Sequence, residues 1–450
     1  MATTNEKVLS HIHEDVAFSI LSKLPLKSLS RFACICKLWA LLFENPRFMD
    51  MLRKNKLSTH SMYSDTSLVL KHLLPKTFYD QFWYLCNGEK YDNKVKLDLP
   101  PPCKDNCPDF HILGSAINGF LCLYDLLGKV ILWNPETNEY KVIPPRHVES
   151  SLPYKVMTDY IYFTLCGFGY DHVGHDYKVI RHVTFHSKYS TYFKGDTPRS
   201  NYLWQIYSLR SNSWRNLEVD MPFRDISIGL EGSEVYLNGM CHWITKAYDK
   251  YVVSFNLSTE VFYTTPFTLD MCKSYEILCS QRHLLVLNGS IALISNNSKA
   301  IEYFHIFILA ELGVKESWIK LFTIGPLGCI YRPIGVGNKV DIIFVKTNDE
   351  LISFDLNSQV IKEIGVQASR PYGCQVAIYK KCSFRLEKLF MAVVISRLSC
   401  CYGGHRAAVC RVVMVTLRCR LSCCYGGRCA AVCRVAMVAV APPVVVLPLL

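Results

Sequence analysis

Four seven-residue stretches, NPETNEY (134–140), SLRSNSW (208–214), NLSTEVF (256–262) and DLNSQVI (355–361), carry the reading of the fold. They align without gaps. Each opens on a small polar residue, continues with Pro or Leu, has Ser or Thr fourth and a large apolar side chain seventh. The residue before each is aromatic (Trp133, Tyr207, Phe255, Phe354) and ends an apolar run. Apolar and aromatic runs broken by Asn, Asp, Ser and Gly are the pattern of strands joined by tight turns. Each stretch therefore predicts strand, polar turn, strand.

A second punctuation mark stands upstream. Asn118-Gly119 precedes the first stretch by 16 residues, Asn238-Gly239 the third by 18, and Gly337-Asn338 the fourth by 17. Asn288-Gly289 belongs to a further unit, and Asn238, Asn288 and Asn338 lie 50 apart. Asn-Gly is a preferred hairpin turn. A period near 50 with four strands per unit is the arithmetic of a propeller blade of the kelch type. The units fall at 60–105, 110–150, 160–217, 230–265, 280–325 and 330–380, which makes about six blades. An irregular β-sandwich is the competing arrangement. The segment HSKYSTYFKGDTPRSN (186–201) reads as a loop inserted in the third unit. Loops are the usual carriers of specificity, so its Tyr189, Tyr192, Phe193 and Lys194 are candidate substrate-binding residues.

Before the β body the period is helical. Val16, Ile20, Leu21 and Leu24 recur at one-face spacing, and Pro25 stops that helix. Ser28 can cap a second helix with Leu29, Phe32, Ala33, Ile35 and Cys36 on its apolar side. Asn45-Pro46 breaks the pattern before a short turn from Phe48 to Leu52. About 42 residues are marginal for an independent core. Such a unit needs a partner or the next domain to complete it. The expected fold is thus α+β and multidomain, with three helices over 8–55, an all-β kelch-like propeller of about six blades over 60–388, and a tail over 391–450. In that tail RLSCCYGGHRAAVCRVVMV (397–415) returns as RLSCCYGGRCAAVCRVAMV (420–438), identical at 16 of 19 positions. No capped helix pattern accompanies it, and disorder is the expectation for 391–450. Its last apolar stretch contains Pro442, Pro443 and Pro448 and is too short and broken for a membrane span.

Charge and cysteine content exclude more than they assign. The chain has 450 residues and a formal net charge of +12, but no acidic residue follows Glu387 while seven arginines do. Residues 1–390 hold 43 basic and 38 acidic side chains, which is no footprint for nucleic acid. Eight of the 21 cysteines crowd into 400–433 and the rest scatter, as reduced buried thiols do. The N-terminus lacks the apolar core of a secretory signal, so the cytoplasm or nucleus is the expected compartment. His172, His175, His182 and His186 form the one enzyme-like cluster, yet no carboxylate or thiol is placed to complete a metal site. Cys103 and Cys107 likewise lack a second ligand pair. No phosphate-binding glycine loop of the P-loop kind and no G-x-S-x-G elbow occurs, and the GFGYD run (167–171) reads as a turn. No catalytic residue, metal or cofactor is expected, and no nucleic-acid or membrane partner.

The helical segment resembles an F-box. The matching residues are Glu14-Asp15-Val16, Ile20-Leu21, Leu24-Pro25, Lys27-Ser28-Leu29, Arg31-Phe32, Cys34, Lys37, Trp39, Leu42, Pro46 and Phe48, and LPLKSLSRFACICKLW (24–39) is close to the plant form. NGFLCL (118–123), LWNPETNEYKVIP (132–144) and GFGYDHVGHDYKV (167–179) resemble the F-box-associated interaction domain of the plant family that includes S-locus F-box-like proteins. The resemblance implies a non-enzymatic substrate receptor of an SCF-type ubiquitin ligase. Its F-box would dock on a Skp-type adaptor and through it a cullin, and its β domain would hold a target protein. Val16, Leu21, Leu24, Pro25, Leu29 and Ile35 match motif positions and are the implied adaptor contacts. One departure stands at Ile12-His13, where the motif has Leu-Pro, and loss of that contact implies adaptor binding weaker by about 1–2 kcal/mol. The alternative is a free-standing kelch-like enzyme or carbohydrate binder with a degenerate F-box.

Overall fold

In the computed structural model, the described residues are 14–35, 41–57, 66–73, 81–88, 91–104, 109–125, 127–146, 160–186, 202–218, 234–245, 251–268, 271, 282–296, 303–327, 329–337, 341–367, 374–382, 414–425 and 428–437. The recurrent turn is built as its sequence requires. Asn134 Oδ1 accepts the Glu136 amide at 3.0 Å, Asn256 Oδ1 those of Ser258 and Thr259, Asp355 Oδ1 those of Asn357 and Ser358, and Ser208 Oγ that of Ser211. The polar first residue thus satisfies backbone donors that the turn leaves without strand partners. The Leu that follows is the anchor, since Leu209, Leu257 and Leu356 are all buried. The fifth residue of every copy is left-handed: Asn138, Asn212, Glu260 and Gln359 have φ between 51° and 59°. The Asn-Gly pairs at 118, 238 and 288 carry positive φ at both residues, the conformation of a type I′ hairpin.

These turns close six four-stranded antiparallel sheets, the blades of a β-propeller. Blades 2 to 6 lie at 111–142, 160–217, 235–266, 282–324 and 330–367, each a meander from an inner to an outer strand. The sixth expected unit loses its last strand. Cys374–Lys380 pairs with Thr66–Leu73 instead, and becomes the inner strand of blade 1 beside Gln81–Asn87 and Asn93–Lys96. The ring is therefore closed by strands from opposite ends of the β body. Closure gives blade 1 its inner strand, and the radial arrangement leaves only short, protected sheet edges.

Each blade is covered on both faces by its neighbours, so many inner and middle strands are buried throughout rather than on alternate residues. Aromatic side chains fill the wedges between blades: Trp83 meets Trp133, Phe120 meets Tyr177, Trp204 meets Trp243, Phe267 meets Trp318 and Phe304 meets Phe344. Blades 6 and 1 add a hydrogen bond from Tyr91 Oη to Asp341 Oδ2 at 2.8 Å. The GFGYD run is not a turn but the end of the inner strand of blade 3, Tyr160–Asp171. Its glycines let blade 4 approach: a Cβ on Gly167 would stand 2.5 Å from Cys241 Cβ, and one on Gly169 2.4 Å from Leu257 Cδ1.

The helical unit comprises α1 (Glu14–Leu21), α2 (Leu26–Ile35), a 3-10 turn (Leu41–Glu44) and α3 (Pro46–Leu57). Two boundaries differ from expectation. Ser28 lies inside α2, whose first turn is closed by the Pro25 carbonyl accepting the Ser28 and Leu29 amides. Asn45-Pro46 starts a helix of 12 residues rather than ending one, with Asn45 Oδ1 accepting the Arg47 and Phe48 amides and Pro46 at the first helical position. In the separate C-terminal unit, Met414–Tyr425 and Arg428–Met437 pair as an antiparallel hairpin. Gly426-Gly427 between them is a hairpin signal. The rest of 391–450 lies outside the described residues.

Candidate functional site

The helical unit completes part of its core with the propeller. Phe18, Leu29, Phe48, Met49 and Leu52 are buried in one cluster with residues of blades 5 and 6, among them Ile294, Ile306, Leu321 and Phe344. Phe18 and Phe48 meet edge to face at 5.6 Å, and Asn55 Nδ2 donates to Ser22 Oγ at 2.6 Å, tying α3 to the end of α1. On α2, Arg31 grips Glu311 with two bonds, Nε to Oε2 at 3.1 Å and Nη2 to Oε1 at 2.8 Å, and Lys27 adds a contact at 2.9 Å. The Arg31 hydrogen bond first, and that of Lys27 next, hold the Glu311 carboxyl below its usual pKa. Glu311 belongs to the turn between the last two strands of blade 5.

The other side of the unit is uncovered. Val16 is 50 % exposed and Ile20, one turn on, 56 %. Pro25, Phe32 and Leu41 are also exposed. An apolar pair left in water on a helix whose opposite face is already buried is a candidate docking surface. The adaptor candidates divide accordingly. Val16 and Pro25 are exposed; Leu21 and Leu24 are half-buried against the shared core; Leu29 is 2 % exposed and faces the propeller core. Ile35 ends α2, and its side chain lies outside the described residues. Ile20 lies in the one-face reading of α1 but outside the implied adaptor contacts, and it is exposed; Phe18 lies outside both and is buried. The i, i+4 spacing of Val16 and Ile20 was visible, but only the docked propeller shows which side is covered.

Tyr189, Tyr192, Phe193 and Lys194 fall outside the described residues, as do Ile12 and His13. The segment that holds the four leaves the sheet after His186 and returns at Tyr202. That end of blade 3 is opposite the tight turns at 172–175 and 208–214, because successive antiparallel strands alternate direction. The blade 5 turn at Glu311, gripped by α2, is on the tight-turn end. The four histidines of 172–186 are not gathered. His172 Nε2 lies 3.1 Å from Tyr236 Oη in the turn, while His182 packs on Trp204 and Tyr202 mid-strand and is pushed down to about 4 by burial. Among the described residues no three His, Cys, Asp or Glu side chains come together as metal ligands, and no helix is long and apolar enough to cross a membrane.

Comparison with known proteins agrees with this architecture. The F-box domain matches residues 9–50, and the F-box associated beta propeller domain matches residues 61–382. Among curated relatives, the Arabidopsis thaliana F-box protein At3g07870 is 27 % identical over 74 % of this chain and 76 % of its own length, and F-box protein CPR1 of the same plant is 24 % identical over 80 % and 85 %. F-box/kelch-repeat protein At3g23880, also from Arabidopsis thaliana, is 23 % identical over 76 % and 87 %. An oligogalacturonate lyase solved with manganese superposes with a TM-score of only 0.37 at 8 % identity, over 63 % of this chain and 70 % of that one, a likeness that carries no functional weight. With an F-box on 9–50 and the matching six-bladed body behind it, the chain belongs to the family of plant F-box proteins that carry an F-box-associated β-propeller.

Proposed function

We propose that this protein is the substrate-recognition subunit of an SCF-type ubiquitin ligase. Its F-box docks on a Skp-type adaptor and thereby a cullin, and its propeller captures a protein target. The observation that carries this reading is the uncovered pair Val16 and Ile20 on α1, kept in water while Phe18, Leu29, Phe48, Met49 and Leu52 are packed on blades 5 and 6. The family membership supports it, since F-box proteins of this kind serve as adaptors rather than enzymes. The protein supplies position and no bond-making chemistry. Capture is assigned to the rim opposite the Glu311 turn, where the 186–201 segment with Tyr189, Tyr192, Phe193 and Lys194 emerges. This work belongs in the cytoplasm or nucleus.

The test uses the full chain, because the F-box shares its core with the propeller. Val16→Asp with Ile20→Asp is expected to weaken binding to a purified Skp-type adaptor by at least about tenfold, given ~1–2 kcal/mol for an ordinary interface side chain, with no loss of thermal stability. Adaptor binding unchanged in that variant, or absent from the wild type at micromolar concentration, counts against the proposal and favours the free-standing propeller.

A further inference from the structure

The inner strands of five blades line a cavity of about 280 Å³ on the propeller axis, near the lower end of the size range for small-molecule sites. Its walls are of two kinds. Leu285, Ile334, Val336, Val376 and Ile378 make an apolar part. Glu234, His283, Arg332 and Gln375 make a polar part, and each stands at the beginning of its inner strand. They therefore gather at the end of the channel away from the tight turns and the F-box. All four are deeply buried, at 4–7 % exposure.

Burying a carboxylate, a guanidinium, an imidazole and an amide around one cavity costs stability that an apolar lining would not. Gln375 has a structural use, for its Oε1 accepts the Ile112 amide at 2.9 Å across blades 1 and 2. Arg332 leans on the Cys374 carbonyl at 3.4 Å. The His283 ring makes no hydrogen bond to any described residue. Burial first, and the neighbouring Arg332 charge second, push its pKa down to about 3, so at neutral pH the ring is uncharged and able both to donate and to accept. The lining then sets a guanidinium, a carboxyl group and a neutral imidazole above an apolar wall.

We propose that this channel binds a small amphoteric organic molecule of the size and character of an aromatic amino acid, its carboxylate toward Arg332, its amine toward Glu234 and its apolar body against Ile334, Val336 and Val376. The inference goes beyond the ligase reading and does not depend on it. Isothermal titration of the full chain, without adaptor, against phenylalanine, 3-phenylpropanoate and 2-phenylethylamine tests it. Phenylalanine is expected to bind about tenfold or more tighter than either analogue. Arg332→Gln is expected to erase its advantage over 2-phenylethylamine, and Glu234→Gln its advantage over 3-phenylpropanoate. A second readout needs no variant: phenylalanine should slow modification of His283 by diethyl pyrocarbonate, followed by mass spectrometry. The proposal is overturned if phenylalanine does not bind up to about 10 mM, if the three probes bind alike, or if His283 reacts at the same rate with and without it.

Discussion

Gln359 shows what a single residue contributes to the recurrent turn. It holds φ at 56° on an exposed corner, where Asn138 and Asn212 occupy the equivalent positions of their blades. A left-handed conformation costs an ordinary L-residue roughly 1–2 kcal/mol, less for Asn and nothing for Gly. Gln359→Gly is therefore expected to hold or raise the urea midpoint, and Gln359→Val to lower stability by about 1 kcal/mol or more. Equal midpoints for the two variants would show that the turn does not impose this backbone. The left-handed position was only half legible in the sequence. Asn at 138 and 212 signals it, whereas Glu260 and Gln359 carry no such signal and are held there by the capping residue and the buried Leu around them.

At the scale of elements, α2 joins the two functions of the molecule. Its inner side inserts Leu29 into the core shared with blade 5 and 6 residues, and Arg31 and Lys27 clasp Glu311 beside it. Leu29→Ala is expected to destabilise the chain by about 2–5 kcal/mol, the range for a buried leucine, and to raise amide exchange in α2. Glu311→Lys is expected to raise exchange in α2 without shifting the melting temperature of the propeller, and Arg31→Glu added to it to restore protection. No change in α2 exchange in Glu311→Lys would show that the apolar core alone holds the F-box. Half of the motif-matched adaptor candidates thus serve this seam to some degree, because an amphipathic helix wedged between two partners has no single apolar face. Helical spacing predicted the helices well, but which stripe meets which partner follows only from docking.

The whole molecule is held by six inter-blade wedges, and they enclose imidazoles as well as hydrocarbon. Burial pushes His111, His182 and His242 down to about 4 and His283 to about 3, with the Lys71 charge adding to the effect at His111 and Arg332 at His283. A histidine whose folded pKa lies below its unfolded value contributes stability that is full above about pH 6.5 and is lost as pH falls toward the folded value. Stability is accordingly expected to decline from about pH 6.5 downward, at up to about 1.4 kcal/mol per pH unit for each of the four. Urea midpoints that stay level from pH 7 to pH 5 would contradict this. The sequence by itself determined the blade period, the turns and the F-box helices, because hydrophobic spacing and turn chemistry are local and leave their mark in a few adjacent residues. It did not show that Cys374–Lys380 closes blade 1, that the F-box shares its core with blades 5 and 6, or that Glu234, His283, Arg332 and Gln375 meet on the axis. Those facts join residues from about forty to about three hundred positions apart, and only closing the ring brings them within reach of one another.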